Sequence, residues 1–143
     1  MAHAADATVR MVTEEEAMGK VAEVYADIKA TKGIASIPNF WRVLATHPDN
    51  LEMMWTRLKT LMHPEASDRK SPLDPTTREI IALAVSATNG CSYCINSHTA
   101  ALRKLGCDTE TLGEVMAIVA LFNSTNALAE GYQVNPDVLP RLD

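Results

Sequence analysis

The chain has 143 residues, a length that fits one domain able to bury about two thirds of its unfolded surface. Apolar residues make up 47% and charged residues 22%, ordinary values for a globular protein, so neither intrinsic disorder nor a membrane protein is indicated. A net charge of −5, with only two Phe, two Trp and three Tyr, offers no basic face for phosphates and no platform for bases, which excludes nucleic acid as a partner.

Met1 to Thr13 lacks the apolar run of a signal peptide, and no stretch approaches the roughly 20 apolar residues of a span, so the reading is a cytoplasmic protein without a membrane partner. Thr13-Glu14-Glu15-Glu16 has the form of a capping box and predicts a helix start, because Thr13 and Glu16 can each satisfy a free amide near the other. Ala17, Val21, Val24, Tyr25 and Ile28 then recur on one helical face, and Lys32-Gly33 ends it. A turn at Pro38 leads to a short apolar segment, Asn39 to Thr46, which His47-Pro48 breaks. Leu51, Met54, Trp55, Leu58, Leu61 and Met62 form the next stripe. Met18, Met53, Met54, Trp55 and Met62 exceed what short helices need for one small core, which predicts burial of some of them between subunits.

His63 to Leu73, with two prolines and little apolar content, reads as a surface connector within a single domain of residues 1–143. Asp74-Pro75 opens a helix, with Asp as cap and Pro at the first helical position. Ile80, Ile81, Leu83, Ala84 and Val85 make it apolar nearly all round, so it is expected to be central in the core, and Asn89-Gly90 stops it. A further helix runs from about Cys91 to Leu105, with Gly106 as its left-handed cap. Asp108 or Thr109 caps the last long helix, and Gln133 to Asp143 is a Pro-containing tail. No period-2 alternation bounded by hairpin turns is present, so the expected fold class is all-α.

In a reducing compartment a close cysteine pair is catalytic or metal-binding more often than structural. Of the three cysteines, Cys91 and Cys94, together with His98, follow at spacings of three and four and so share one helical face. Two cysteines three apart in a helix sit slightly too far apart for a relaxed disulfide, but a first turn can adjust enough to close one. Glu79 lies eleven residues before Gly90 and His98 eight after it. If the two helices run antiparallel, both side chains stand roughly 12–17 Å from the turn and face each other. A carboxylate there would orient the imidazole and raise its basicity, and the imidazole could deprotonate a thiol of ordinary pKa about 8.5. Singly, a His in a helix or a surface Glu is an ordinary structural residue; the conjunction of four points to thiol chemistry. Haem attachment fails, because position 95 is Ile rather than His, and a thioredoxin-like motif would follow a strand. Zinc stays open: Cys91, Cys94 and His98 are suitable ligands and Glu79 a fourth, although the usual second ligand pair is missing. No cofactor is otherwise expected.

Glu79, an eleven-residue gap and Cys91-Ser92-Tyr93-Cys94-Ile95-Asn96-Ser97-His98 resemble the core signature of the alkylhydroperoxidase D and carboxymuconolactone decarboxylase superfamily. The likeness runs from about Pro75 to Gly106 and more loosely through Phe122-Asn123 and Asn126-Ala127-Leu128-Ala129. It implies an all-helical alkylhydroperoxidase D-like domain with the cysteine motif at the start of a core helix, assembled as a homotrimer or hexamer. It implies a thiol-dependent peroxidase or disulfide reductase acting on a hydroperoxide, with an unidentified dithiol or protein electron donor. In that pattern Cys94 attacks the peroxide, Cys91 resolves the sulfenic acid, His98 is the base and Glu79 its partner. The best-studied peroxidase type carries a further His between the cysteines, where this chain has Tyr93. From the residues alone Cys91 is nearer the helix N-terminus and Cys94 nearer His98, so each has a claim to be the nucleophile. A lactone decarboxylase, whose chemistry does not depend on a cysteine pair, and a non-enzymatic redox-sensing module are the alternatives. Cys107, outside the motif, is expected to be a bystander.

Overall fold

In a computed structural model the chain is described over residues 6–141, so the first five residues of the N-terminal stretch and the last two of the tail lie outside the description. Six α-helices account for most of it, and no strand occurs among the described residues. The chain divides into two compact units, one up to Pro72 and one from Leu73 onward.

The first unit holds α1 (Lys20–Lys32), α2 (Asn39–Leu44) and α3 (Pro48–Met62), followed by a short 3-10 turn, Pro64–Ser67, inside the segment expected to be irregular. The capping box forms as expected, with Thr13 N–H donating to the Glu16 carboxylate at 3.2 Å and Glu16 N–H to Thr13 Oγ at 3.3 Å. It closes only a turn, and the helix starts later than expected. Gly19, at φ 53° and ψ −130°, takes a positive-φ conformation open chiefly to glycine that interrupts the helical path, and α1 begins at the next residue. Val21, Val24, Tyr25 and Ile28 then point inward against Trp41, Leu51 and Trp55, with Ala17 packed on the edge. Burial of each large apolar side chain contributes roughly 1.5–3 kcal/mol, and Trp41 and Trp55 add an edge-to-face contact at 5.4 Å. His47 caps α3 by accepting from Asn50 N–H, with Pro48 at the first helical position.

Asp27 gathers the polar groups at one margin of this core. Trp55 Nε1 donates to Asp27 at 2.6 Å and Lys59 Nζ donates to both oxygens of the same carboxylate. Burial opposes charge on Asp27, but these hydrogen bonds outweigh it and hold the carboxyl below its ordinary value. Trp55, expected among the residues between subunits, belongs instead to this core, whereas Met18 and Met53 are exposed.

The second unit holds α4 (Pro75–Asn89), α5 (Ser92–Lys104) and α6 (Thr109–Gly131). Asp74 caps α4 and Asp108 caps α6, each accepting the backbone N–H three residues on. α4 packs along α5 and, with a smaller contact, against α6. These two neighbours cover only part of its surface, so the expectation of a helix buried all round is not met. Leu83 and Ser86 are buried, while Ile81 and Val85 are half exposed. No residue of α6 is buried, and Ile118, Leu121, Phe122 and Leu128 are each more than half exposed. The expectation that no stretch reaches membrane-spanning length is also corrected: α6, at 23 residues, is long and apolar enough by length and composition alone.

Candidate functional site

The site grows from the junction of α4 and α5. Gly90, at φ 70° and ψ 31°, ends α4 in the left-handed conformation that glycine adopts without steric cost. Its N–H bonds to the Ala87 carbonyl at 3.3 Å, and the Cys91 N–H reaches the Ser86 carbonyl at 3.0 Å. The chain therefore reverses while the last carbonyls of α4 remain satisfied. The next residue already caps the next helix. Cys91 has extended backbone angles, φ −87° and ψ 92°, and its Sγ accepts the Cys94 N–H at 3.2 Å. Serine, threonine, aspartate or asparagine usually fills this place; here a sulfur does.

Since Cys91 sits at the cap rather than inside the helix, its Cα lies 5.3 Å from that of Cys94, within disulfide reach, and the two sulfurs are bonded at 2.06 Å. One turn beyond Cys94 on α5 comes His98, whose Nδ1 is 2.7 Å from Glu79 Oε2. The two helices thus bring Glu79 and His98 together, as the arithmetic about Gly90 anticipates. The Glu79 side chain is 17% exposed and that of His98 25%, so the pair is partly shielded yet reachable. When Nδ1–H donates to Glu79, the other ring nitrogen, Nε2, is left to exchange a proton. Tyr93 is exposed between the cysteines. Cys107 is free and partly buried beyond the far end of α5, separated from Cys91 by a 13-residue helix, about 20 Å of axis.

One contact at this corner is absent from the sequence reading. Asn123 Nδ2 donates to Thr88 Oγ at 3.1 Å, tying the middle of α6 to the last turn of α4. The signal for it is a polar amide in the middle of a largely apolar helix.

Comparison with known proteins gives a consistent set of matches. Residues 52–134 match the sequence model of the family described as carboxymuconolactone decarboxylase. The alkyl hydroperoxide reductase AhpD of Streptomyces coelicolor is 29% identical over 116 residues, covering 78% of this chain and 61% of that protein. The protein of the same name from Brucella canis is 32% identical over 124 residues, covering 83% of this chain and 67% of that protein. A shorter match, 43% identical over 49 residues, links the chain to the protein YdfG of Bacillus subtilis, covering 34% of this chain and 33% of that one. The matched stretch therefore spans between a third and two thirds of these curated relatives. Among solved structures, the alkylhydroperoxidase AhpD core of Rhodospirillum rubrum superposes with a TM-score of 0.84 at 42% identity, covering 92% of this chain and 95% of that one.

Proposed function

The chain belongs to the carboxymuconolactone decarboxylase family, in its AhpD-like group, and from that premise we propose that it is a thiol-dependent peroxidase or disulfide reductase. The observation that carries this reading is the bonded Cys91–Cys94 pair at the head of α5 with the Glu79–His98 contact one turn further on.

In the reduced protein His98, oriented by Glu79, takes the proton of Cys94. The Cys94 thiolate attacks one oxygen of the hydroperoxide, the O–O bond breaks, and the departing alkoxide takes a proton from His98 to leave as an alcohol. Cys94 is now a sulfenic acid. The Cys91 sulfur attacks it, water leaves, and the Cys91–Cys94 disulfide forms. An external dithiol then supplies two electrons and two protons through thiol–disulfide exchange, and is itself left as a disulfide. A disulfide substrate in place of peroxide would enter at the same sulfur. A lactone decarboxylase has no use for this redox pair, which favours the redox reading over decarboxylation.

The exposed apolar residues of α6 and α4 support a homo-oligomer, trimer or hexamer, since faces of this kind on small proteins mark association. A reducing, cytoplasmic setting suits the required donor. A redox-sensing module without turnover is the remaining reading, and the same apolar faces would be its output.

Peroxide consumption with a dithiol reductant tests the proposal. The wild type is expected to turn over, Cys94→Ser to fall to the uncatalysed rate, and Cys91→Ser to complete one turnover and trap sulfenic acid on Cys94. Sulfenic acid on Cys91 in the Cys94→Ser protein, with Cys94 unreactive in the Cys91→Ser protein, would reverse the two roles. A wild type inert to hydroperoxides and disulfides alike would defeat the enzymatic reading, and a monodisperse monomer at micromolar concentration would defeat the oligomer.

A further inference from the structure

α6 is apolar along most of its length, yet its middle reads Asn123-Ser124-Thr125-Asn126. Asparagine is a mediocre residue for a helix interior, because its amide competes for backbone hydrogen bonds. Asn123 spends that amide elsewhere, donating to Thr88 Oγ at 3.1 Å across 35 residues of sequence. Thr88 lies in the last turn of α4, three residues before Cys91. That same turn carries the backbone of Cys91, through the Ser86 carbonyl at 3.0 Å, and of Gly90, through the Ala87 carbonyl at 3.3 Å. Cys94, by contrast, belongs to the first turn of α5 and moves with that helix. Cys91 is bonded to that turn as well, its Sγ accepting from Cys94 N–H and its carbonyl from Ile95 N–H, but it is also bonded to α4, the helix that α6 grips.

We propose that Asn123 is a positioning residue for the dithiol: through Thr88 it fixes where Cys91 stands relative to Cys94 and so biases the equilibrium between dithiol and disulfide. This deepens the redox reading of the site and rests on it. In the exchange, an external dithiol gives two electrons and two protons to the Cys91–Cys94 bond and becomes a disulfide. The protein's share of the equilibrium constant depends on how often the two sulfurs meet in the reduced form. A restraint that keeps Cys91 near Cys94 favours the closed disulfide, and loosening it favours the dithiol. Both Asn123 and Thr88 are exposed, so water competes for their hydrogen bond and the effect is modest, about two- to five-fold in the equilibrium constant.

The experiment equilibrates the full-length wild type, Asn123→Leu, Thr88→Val and the double variant in glutathione redox buffers, and reads the oxidised fraction by alkylation and mass spectrometry. Each single substitution is expected to lower the disulfide formation constant about two- to five-fold, and the double variant to fall no further than the larger single effect. Asn123→Asp should restore it, because the Thr88 hydroxyl can donate to a carboxylate. Thermal unfolding of the same proteins separates positioning from general stability. Formation constants equal to the wild type despite lowered melting temperatures, additive effects in the double variant, or failure of Asn123→Asp to restore the value would overturn the proposal. No peroxide is involved, so a wild type that cannot turn over hydroperoxide sinks the peroxidase reading without touching this one.

Discussion

Replacing Cys91 by serine and by alanine separates two tasks that the native residue combines. Its sulfur is half of the disulfide and is also the acceptor that caps α5. The cross-link closes a loop of only four residues, for which chain entropy gives about 2 kcal/mol. A side-chain cap is worth about 1 kcal/mol relative to alanine. Oxidised wild type should therefore exceed Cys91→Ser by about 2 kcal/mol and Cys91→Ala by about 3 kcal/mol. In excess reductant the ranking changes. Serine is among the best capping residues, so Cys91→Ser should match or surpass the reduced wild type. Cys91→Ala should remain about 1 kcal/mol below Cys91→Ser, or about 3–5 °C in melting temperature for a chain of this size. Thermal unfolding followed by circular dichroism, with and without reductant, measures all six values. Coincident melts of the serine and alanine variants in reductant would show that the sulfur does not cap the helix, and the reasoning would fail.

His98→Ala is expected to slow the reaction with peroxide about a hundredfold or more and to move its pH–rate profile toward that of an unassisted thiol. Glu79→Gln should act in the same direction but less strongly, and stopped-flow rates across pH 5–9 would show an inverted ranking if the carboxylate does not serve the imidazole. Asp27→Asn loses the Lys59 ion pair but can still accept from Trp55, so at neutral pH it should cost about 1 kcal/mol, discounted for the partial exposure of the carboxylate. Because the native Asp27 carboxyl is held below its unfolded value, its contribution is present above about pH 4 and is lost as pH falls through the folded value. Urea unfolding between pH 6 and 2.5 should accordingly show a shallower acid decline for Asp27→Asn, and parallel curves would refute the assignment. Cys107→Ser should leave peroxide turnover at the wild-type rate, and loss of most activity would overturn its reading as a bystander.

What is legible in the sequence is local. Asp74-Pro75, Asp108, Gly33 and Gly90 announce helix ends through side-chain and backbone chemistry confined to a few residues, and each stands where expected. The Glu79–His98 contact was legible for a related reason: with no long loop between the helices, counting outward from Gly90 brings both side chains to the same height. Thr13 and Glu16 are legible as a reciprocal pair, but the failure of the helix to continue is not, since the decisive event is a positive φ at Gly19 that glycine permits without demanding. The burial of α4 is not legible, because an apolar composition says how much surface wants cover, not how many neighbours arrive. Asn123–Thr88 was out of reach. It depends on how α6 is rotated against α4, and a helix apolar on every side gives no periodicity from which to fix that angle.

The corner at Gly90 and Cys91 has no spare residue: the terminating glycine of one helix is followed at once by the capping residue of the next. Such a joint works as a gauge of phase. One residue inserted there would turn α5 by about 100° against α4 and carry His98 off the face that meets Glu79, while a deletion would remove either the reversal or the cap. The segment between α3 and α4, from His63 to Leu73, carries no part of this alignment. Length variation should therefore be tolerated there and forbidden at the corner, and a set of single-residue insertions scored for a reducible disulfide and for peroxide turnover would map the boundary between the two.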